Sequence, residues 1–355
     1  MPDFIPGLVL GEQLYREVVR PILDAQFPDL PHSAALLGSG SEVLGFDTEM
    51  STDHQWGPRV MLFLDEDTHA RLREPVGLAL SSALPQVFRG YPTAGSSPAP
   101  AAGSGEHGVE LLTARGFFES YLGFDLHEEL EPVDWLTFPE QKLLAIGAGA
   151  VFHDGIGLQA IRDRFQAYPR DVWLYLLAAG WIQIGQEEHL MGRAGLVGDE
   201  IGSALIGARL VRSLMRLGFL MERQYAPYPK WLGTAFSRLA CAAALSPRLR
   251  AVLTATAWPE RERALASAYQ EVAALHNALG VTAPLPVTVS RFHDRPFQVI
   301  HGRAFADAIR QRIADPTVRR IAAGRLIGGV DQWSDSTDLL CDPARRRALR
   351  ALYET

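Results

Sequence analysis

The pattern of apolar residues changes once along the chain, near Tyr168, and this change limits the possible folds more than any other feature. Before Tyr168, short apolar runs bounded by glycine or proline alternate with stretches of helical spacing, which predicts strands and helices in turn. After Tyr168, apolar residues recur at helical spacing over long segments. We therefore predict an α/β domain over residues 1–167 and a mainly helical domain over residues 168–355.

The same spacing rules predict the individual elements. Short apolar runs predict strands at Ala34–Leu37, Val60–Leu64, Gly108–Leu112 and Gly147–Phe152. Helical spacing predicts helices at Glu12–Ala25, Leu72–Leu84, Leu158–Ala167, Arg170–Met191, Asp199–Arg223, Leu232–Ala244, Trp258–Leu279 and Ala304–Ile313. We expect an extended segment near residues 284–300 and a loop rich in proline, alanine, glycine and serine at Thr93–Gly108.

Composition excludes several classes of protein. The formal net charge of -7 argues against a broad nucleic-acid-binding surface, because such surfaces are basic. Two cysteines, Cys241 and Cys341, are too few for a disulfide framework or a cysteine-rich zinc site. Met1–Leu10 lacks the basic start and apolar core of an export signal. The apolar run Val172–Ile184 is shorter than the roughly 20 residues of a membrane span and predicts a buried helix. We expect a cytoplasmic protein.

The stretch from Gly38 to Trp56, "GSGSEVLGFDTEMSTDHQW", follows the first predicted strand and combines flexible backbone with acidic side chains. It matches none of three glycine-rich patterns that bind nucleotides or carry a nucleophile. A dinucleotide fingerprint needs glycine where Val43 stands, a P-loop needs a lysine that the stretch lacks, and a nucleophile elbow needs G-x-S-x-G. What remains is a strand, a Gly-Ser turn, and an aspartate that precedes the second predicted strand.

Nucleotidyl transfer fits this layout on physical grounds. Small residues at a turn let backbone N–H groups approach a phosphate chain closely. Mg²⁺ prefers oxygen ligands, so carboxylates on neighbouring strands would hold the metal ion that the phosphates require. Turn and acid must then face one cleft. The alternative interpretation of such a run is an ordinary loop between strands.

Several strings resemble the nucleotidyltransferase superfamily. The pattern of that superfamily is an apolar residue, Gly, and then Gly or Ser. Two acids separated by one apolar residue follow later, and a third acid lies on another strand. "GSGSEVLGFD", "STDHQWGPR", "YAPYPKWLGTAF" and "IGGVDQWSDSTDLL" look closest to an uncharacterised branch, carried under a domain-of-unknown-function label. The resemblance covers most of the chain. It implies an α/β (α+β) fold with a nucleotidyltransferase-like mixed sheet followed by a mainly helical domain, similar in order to aminoglycoside nucleotidyltransferases.

The resemblance assigns roles to residues of the α/β domain. The turn that holds the phosphates corresponds to Gly38, Ser39, Gly40 and Ser41, with Gly40 and Ser41 as the matched pair. Asp53 matches the first metal-binding acid, and Glu110 in "GVELL" best matches the third. Both are therefore expected to bind Mg²⁺ and to take part in catalysis.

One position departs from the family pattern. The second acid falls on Gln55, whose neutral carbonyl leaves a metal ion less compensated, although Gln55 is still a candidate contact of the nucleotide. Three interpretations stay open: weaker Mg²⁺ binding, a carboxylate from Glu42, Asp47 or Glu49, or loss of catalysis.

The predicted helical domain contributes further candidates, each with a structural alternative. Arg209, Arg212 and Arg216 recur at helical spacing, so they share one helix face and could clamp a triphosphate. Such rows are more often solvated. Glu187 could act as the general base that deprotonates an acceptor hydroxyl, if its helix faces the cleft.

The turn "YAPYPKWLG" places one cation at a defined point, because two prolines stiffen the backbone before Lys230. Lys230 could stabilise charge on the pyrophosphate leaving group, or lie on an aromatic packing corner. Tyr228 could stack on a base or a sugar, although core packing is the more frequent role.

Together these residues predict a Mg²⁺-dependent enzyme that transfers a nucleoside monophosphate from a nucleoside triphosphate to the hydroxyl of an unidentified acceptor. Catalysis would be mostly positioning and charge stabilisation. The alternative is a catalytically inactive nucleotide-binding or interaction protein that keeps the fold, with Gln55 as the trace of lost turnover. Neither hypothesis involves a membrane or a broad nucleic-acid surface.

Overall fold

The computed structural model describes residues 3–53, 56–93 and 107–354, and of Asp53 only the backbone. The chain forms two compact units. Met1–Glu129 and Gln141–Gln166 make up the first, which we call the α/β unit; Leu130–Glu140 and Ala167–Thr355 make up the second, the helical unit. The boundary after Gln166 lies beside the one expected from the sequence, but residues 130–140, which the sequence analysis assigned to the α/β domain, group with the helical unit.

The described strands form one four-stranded sheet and two two-stranded sheets. They are β1 (Ser33–Leu36), β2 (Val60–Leu64), β3 (Val87–Phe88), β4 (Tyr91–Pro92), β5 (Val109–Thr113), β6 (Ala150–Asp154), β7 (Ser290–Arg291) and β8 (Gln298–Val299). The four-stranded sheet lies in the α/β unit, in the order β5-β2-β1-β6. β1 runs antiparallel to β2 and β6, whereas β2 runs parallel to β5. The prediction of a mixed α/β fold is confirmed at this level.

Helices occupy most of the rest of the described chain. They are α1 (Gly7–Leu14), α2 (Arg20–Gln26), α3 (Glu66–Ala83), α4 (Ala114–Leu122), α5 (Pro132–Thr137), α6 (Glu140–Ala148), α7 (Leu158–Asp163), α8 (Arg170–Glu187), α9 (Leu190–Leu196), α10 (Glu200–Met221), α11 (Leu232–Phe236), α12 (Ala242–Thr254), α13 (Trp258–Ala278), α14 (Gly302–Arg310), α15 (Pro316–Ala323), α16 (Val330–Trp333), α17 (Thr337–Cys341) and α18 (Arg346–Arg350). A π-helical turn, Tyr15–Val19, joins α1 to α2. The predicted helix Glu12–Ala25 is therefore part of a longer one.

The core of the α/β unit lies against β1 and β2. Every residue of both strands is buried, which explains why they read as continuous apolar runs rather than as alternating patterns. Leu10 and Leu14 of α1 and Val76 and Leu80 of α3 pack into the same cluster as Leu62 of β2. Apolar faces of helices thus cover the central strands, as the layered architecture of such domains requires.

One predicted strand of the α/β unit starts later than expected. The predicted strand is Gly147–Phe152, but its first two residues are the last two of helix α6. Strand β6 begins at Ala150. The buried guanidinium of Arg162 donates to the carbonyls of Ile146, Gly147 and Gly149 at 3.0, 2.9 and 2.7 Å. These bonds satisfy the last carbonyls of the helix and stabilise its end.

Helix α4 was not predicted from the sequence. Thr113 caps its start, because the hydroxyl accepts the N–H of Gly116 at 2.9 Å. Gly123 ends it in the left-handed conformation, with φ 68°. Its nine residues are too few to show a clear helical period.

Helix α8 is the buried centre of the helical unit. Nearly every residue of Val172–Ile184 is buried, as expected for that apolar run. Helices α10 and α14 pack on it. Within the described part of the chain, no helix has the length and apolar character needed to cross a membrane.

The predicted helix Leu232–Ala244 is two helices, α11 and α12. The carboxylate of Glu222 accepts the N–H groups of Ala240 at 2.9 Å and Cys241 at 2.8 Å, and so starts α12 there. The predicted extended segment near residues 284–300 contains the antiparallel pair of β7 and β8.

Candidate functional site

A cavity of about 280 Å³ lies at one end of the mixed sheet of the α/β unit. Because β1 runs antiparallel to β2 and β2 runs parallel to β5, the carboxyl end of β1 lies beside the amino ends of β2 and β5. Residues from all three strand ends line the cavity, and helix α4 contributes another wall. Among the lining residues are Gly38, Ser39 and Glu110, which the sequence analysis selected.

The turn after β1 begins with Gly38, whose φ of 81° lies in the left-handed region that glycine favours. The N–H of Gly38 donates to the carbonyl of Ala145 on α6 at 3.2 Å. In the described part of the chain, no group accepts a hydrogen bond from the N–H of Ser39, Gly40 or Ser41. Consecutive backbone donors of this kind suit an anion.

The position of the turn differs by two residues from the pair that the family pattern matches. Gly38 and Ser39 line the cavity, whereas Gly40 and Ser41 are not among the described residues that line it. The reason is that β1 ends at Leu36, so the chain turns immediately afterwards.

Glu110 lies opposite Met61 in the parallel pair of β2 and β5. Its side chain is half-buried and lines the cavity together with Ser39. Just before it, Gly108 passes so close to Pro58 that a Cβ would lie 2.4 Å from the Pro58 carbonyl oxygen. Only glycine allows this close approach, which sets where Glu110 stands along the sheet.

Asp53 ends a short 3₁₀ helix, Glu49–Asp53, that precedes β2. Its side chain lies outside the described residues, as does Gln55. Among the side chains that the structure describes, no three of histidine, cysteine, aspartate and glutamate come together as a metal site. The Mg²⁺ site assigned to Asp53 and Glu110 stays a prediction.

Glu42, an acid of the glycine-rich stretch, has a structural role. It forms a buried ion pair with Arg59, and the two side chains are 2% and 10% exposed. The same guanidinium donates to the carbonyl of Ser39 at 3.3 Å. The carboxylate lies against Gly40, where a Cβ would be 2.6 Å from its oxygens. The pair therefore fixes the turn after β1 to the start of β2.

Asp47 has a structural role as well. Its carboxylate accepts the N–H of Gly7 at 2.7 Å and the indole N–H of Trp56 at 3.0 Å. Gly7 is the first residue of α1, so a negative charge there offsets the helix dipole. Of the three acids considered as substitutes for the missing second acid, Glu42 and Asp47 thus serve the structure of the turn, and Glu49 is exposed.

The arginine row of α10 is ion-paired within the helical unit. Arg209 pairs with Glu187, the predicted general base, and is 71% exposed. Arg212 donates to Asp335 at 3.0 Å. A phosphate bound by these arginines would have to displace both carboxylates, so the contacts favour the solvated, structural interpretation of the row.

The turn around Lys230 presents its cation to solvent. The ammonium lies 4.8 Å from the centre of the Trp231 ring, and both Lys230 and Tyr228 are exposed. Tyr225, in contrast, is buried and meets Tyr168 edge to face, with ring centres 4.9 Å apart. The aromatic corner is therefore a packed structure that carries Lys230 on its outside.

Arg216, the third arginine of the row, belongs to a buried polar cluster of the helical unit. Its guanidinium lies 3.3 Å from the carboxylate of Glu140 and 3.9 Å from that of Asp331. Asp331 also accepts the N–H of Glu140 at 2.8 Å, and Glu140 accepts the N–H of Ala226 at 2.9 Å. Two carboxylates thus share one guanidinium. Burial, together with the charge of Glu140, raises the pKa of Asp331 to about 7.

This raised pKa predicts how stability depends on pH. A carboxyl group whose pKa is raised by folding stabilises the folded state fully below its ordinary value of 3.8, and the contribution is lost as the pH rises through about 7. Between about pH 5 and about pH 8, this loss lowers the free energy of unfolding of the wild type by on the order of 2 kcal/mol. We expect the decline to be smaller by that amount in Asp331→Asn, which keeps an acceptor for the N–H of Glu140. Urea unfolding at about pH 5 and about pH 8 measures it. Equal declines in both proteins would contradict the raised pKa of Asp331.

A family model described as a domain of unknown function (DUF4037) matches residues 135–232. The matched segment lies mostly in the helical unit and spans less than a third of the chain. It contains Glu140, Arg216 and Lys230, but neither the glycine-rich stretch nor Glu110. No curated protein matches the chain.

Proposed function

We propose that the α/β unit is a Mg²⁺-dependent nucleotidyltransferase domain that transfers a nucleoside monophosphate from a nucleoside triphosphate to an acceptor hydroxyl. One observation carries the proposal. The turn at Gly38 and Ser39, selected for phosphate, and Glu110, selected for metal, line the same cavity although they are far apart in the sequence. If the turn were only a loop between strands, there would be no reason for it to lie beside Glu110, the strand acid that the family pattern requires.

The topology of the sheet supports the same function. Asp53 lies on the chain shortly before β2, and Glu110 lies on β5, the parallel neighbour of β2. One carboxylate from β5 and one from the 3₁₀ helix that precedes β2 would match the preference of Mg²⁺ for oxygen ligands. A metal ion held there would polarise the α-phosphate and neutralise charge on the leaving pyrophosphate.

The remaining chemistry is positioning of the triphosphate. The N–H group of Ser39, which lines the cavity, would bind a phosphate oxygen, and the ion pair of Glu42 with Arg59 holds the backbone of the turn in place. Metal should strengthen binding, because the guanidinium of Arg59 is already paired with Glu42 and a carboxylate, Glu110, lines the cavity.

Two residues of the helical unit remain candidates for a further role in nucleotidyl transfer. Lys230, which pairs with no carboxylate among the described residues, is a candidate for stabilising pyrophosphate. Tyr228, exposed next to it, is a candidate for stacking on the base. Glu187, Arg209 and Arg212 are ion-paired in the helical unit and would first have to be released.

Titration of the full chain with ATP, with and without Mg²⁺, tests the proposal together with an assay of pyrophosphate release against a panel of hydroxyl-bearing acceptors. We expect binding that is at least about 10-fold tighter with Mg²⁺, since the metal offsets repulsion between anions. We also expect pyrophosphate release that Asp53→Ala abolishes.

Gln55 at the second acid position specifically favours the catalytically inactive alternative. The two functions differ in one measured outcome. Metal-dependent binding without pyrophosphate release, for every acceptor tried, would support the inactive nucleotide-binding protein. Absence of binding for all four common nucleoside triphosphates would contradict both.

A further inference from the structure

The buried guanidinium of Arg59 uses only one of its three nitrogens within the described part of the chain. Its Nη2 donates to the carboxylate of Glu42 and to the carbonyl of Ser39. Its Nε is buried and has no hydrogen-bond partner among the described residues, and Nη1 has none there either. Because Nη2 carries two of the five N–H groups of a guanidinium, the other three lack an acceptor in the described chain.

Unpaired donors at a buried position need a physical explanation. Most buried polar groups in folded proteins are hydrogen-bonded, and an exception marks a place that a water or a ligand completes. Arg59 is 8% exposed and lines the cavity together with Ser39 and Glu110. Unlike Nε, Nη1 is not closed off from solvent, so Nη1 is the nitrogen that a small ligand can reach.

The guanidinium lies beside a second free donor of the cavity. Its Nη2 is 3.3 Å from the carbonyl oxygen of Ser39, and the N–H of Ser39 has no acceptor among the described residues. Ser39 and Arg59 line the same cavity. A tetrahedral anion offers several acceptor oxygens, and both backbone N–H groups and guanidinium groups bind such oxygens. The two residues therefore form one anion-binding arrangement.

Glu42 limits what Arg59 contributes to this arrangement. The carboxylate is 2% exposed and is paired with the guanidinium, so it offsets the charge. The free N–H groups still donate, and hydrogen bonds from a guanidinium are stronger than those from a neutral group. Arg59 thus supplies a fixed local donor, whereas Mg²⁺ would supply the net attraction for a polyphosphate.

We propose that Nη1 of Arg59 donates to a phosphate oxygen of the bound nucleotide, beside the N–H of Ser39. The inference rests on the proposed function and adds a side chain to its phosphate site. One guanidinium then has two tasks, because Nη2 fixes the turn after β1 and Nη1 binds the phosphate that the turn receives.

Affinities for ATP and for inorganic pyrophosphate, measured by calorimetry with Mg²⁺ on the full chain, test this role. Glu42→Gln keeps Arg59 and removes the charge that offsets it, so both ligands should bind about 3- to 10-fold more tightly. Glu42→Gln with Arg59→Met has the net charge of the wild type but lacks the donor. We expect this double variant to weaken both ligands by about 10- to 100-fold, as for loss of a charged hydrogen bond.

The matched control is the double variant Glu17→Gln with Arg89→Met. It removes an exposed ion pair of the same unit by the same two exchanges and also leaves the net charge unchanged. Both affinities should stay at the values of the wild type.

Other outcomes overturn the role of Arg59. If Glu42→Gln and its double variant with Arg59→Met weaken binding equally, the pair only holds the turn. If the double variant stays within about 3-fold of the wild type, Arg59 makes no contact with phosphate, and this result decides even where Glu42→Gln alone does not fold. Both results leave the proposed function unaffected. If the wild type binds neither ATP nor pyrophosphate, the proposed function fails and the role of Arg59 fails with it.

Discussion

Replacing Glu110 with glutamine is expected to lower the rate of nucleotidyl transfer by about 1,000-fold, equivalent to about 4 kcal/mol of transition-state stabilisation. Glutamine keeps the shape of the side chain and removes its charge, so the proposed metal ion would lose one of its two carboxylate ligands. The half-buried position on the edge of a cavity allows the exchange without repacking the core. Pyrophosphate release at saturating nucleotide measures the effect, with the acceptor that the panel identifies.

Glu74→Gln is the matched control for this variant. Glu74 is an exposed glutamate of α3 in the same unit, so its replacement changes the net charge equally and leaves the cavity intact. We expect full activity. A Glu110→Gln variant that retains its activity within about 3-fold would show that Glu110 does not hold the metal.

Replacing Arg59 with methionine is expected to lower the free energy of unfolding by about 3–5 kcal/mol. The substitution leaves the carboxylate of Glu42 buried without its partner and removes the hydrogen bond to Ser39. An uncompensated buried charge costs far more than a lost surface contact. Urea unfolding of the full chain measures the loss.

An exposed ion pair of the same unit provides the comparison. Arg89 pairs with Glu17 at 2.8 Å, and the two side chains are 47% and 45% exposed. Arg89→Met should cost less than about 1 kcal/mol. The double variant Glu42→Gln with Arg59→Met should recover part of the loss, because no unpaired charge remains. Equal costs for Arg59→Met and Arg89→Met would mean that the Glu42–Arg59 pair does not hold the turn.

The fold was predictable where burial determined the apolar pattern. β2 has the bounds that its apolar run predicts, because a central strand covered on both faces admits only apolar residues. β1 differs by one position at each end, since its first residue is a buried serine. Helix α4 escaped prediction because its caps, Thr113 and Gly123, are local signals that a short apolar pattern does not reinforce.

The candidate site was predictable only in part. Glu110 carries the family pattern and lines the cavity. In the glycine-rich turn, Gly38 and Ser39 line the cavity, whereas the matched pair Gly40 and Ser41 are not among its described lining residues. The sequence does not show that Glu42 belongs to Arg59, because the pairing depends on how the chain turns back along β2. An arginine placed directly before a wholly apolar strand was the available signal for it.

Charge pairing across long separations was also beyond sequence reasoning. Arg212 meets Asp335, which lies far along the chain, and Arg216 meets Asp331. The string "IGGVDQWSDSTDLL" was quoted only for its family resemblance, yet its first aspartate, Asp331, joins the buried cluster. Spacing along one helix identifies a shared face, but the fold of the unit decides what covers that face.

A metal site held by Glu110 would also bind Mn²⁺, which serves as a spectroscopic substitute for Mg²⁺. Free Mn²⁺ is measured by electron paramagnetic resonance during titration of the full chain, with and without a non-hydrolysable ATP analogue. We predict that the analogue tightens Mn²⁺ binding to the wild type, and that Glu110→Gln loses this effect whereas Glu74→Gln keeps it. Equal binding of Mn²⁺ by the wild type and Glu110→Gln in the presence of the analogue would contradict a metal ion held by Glu110.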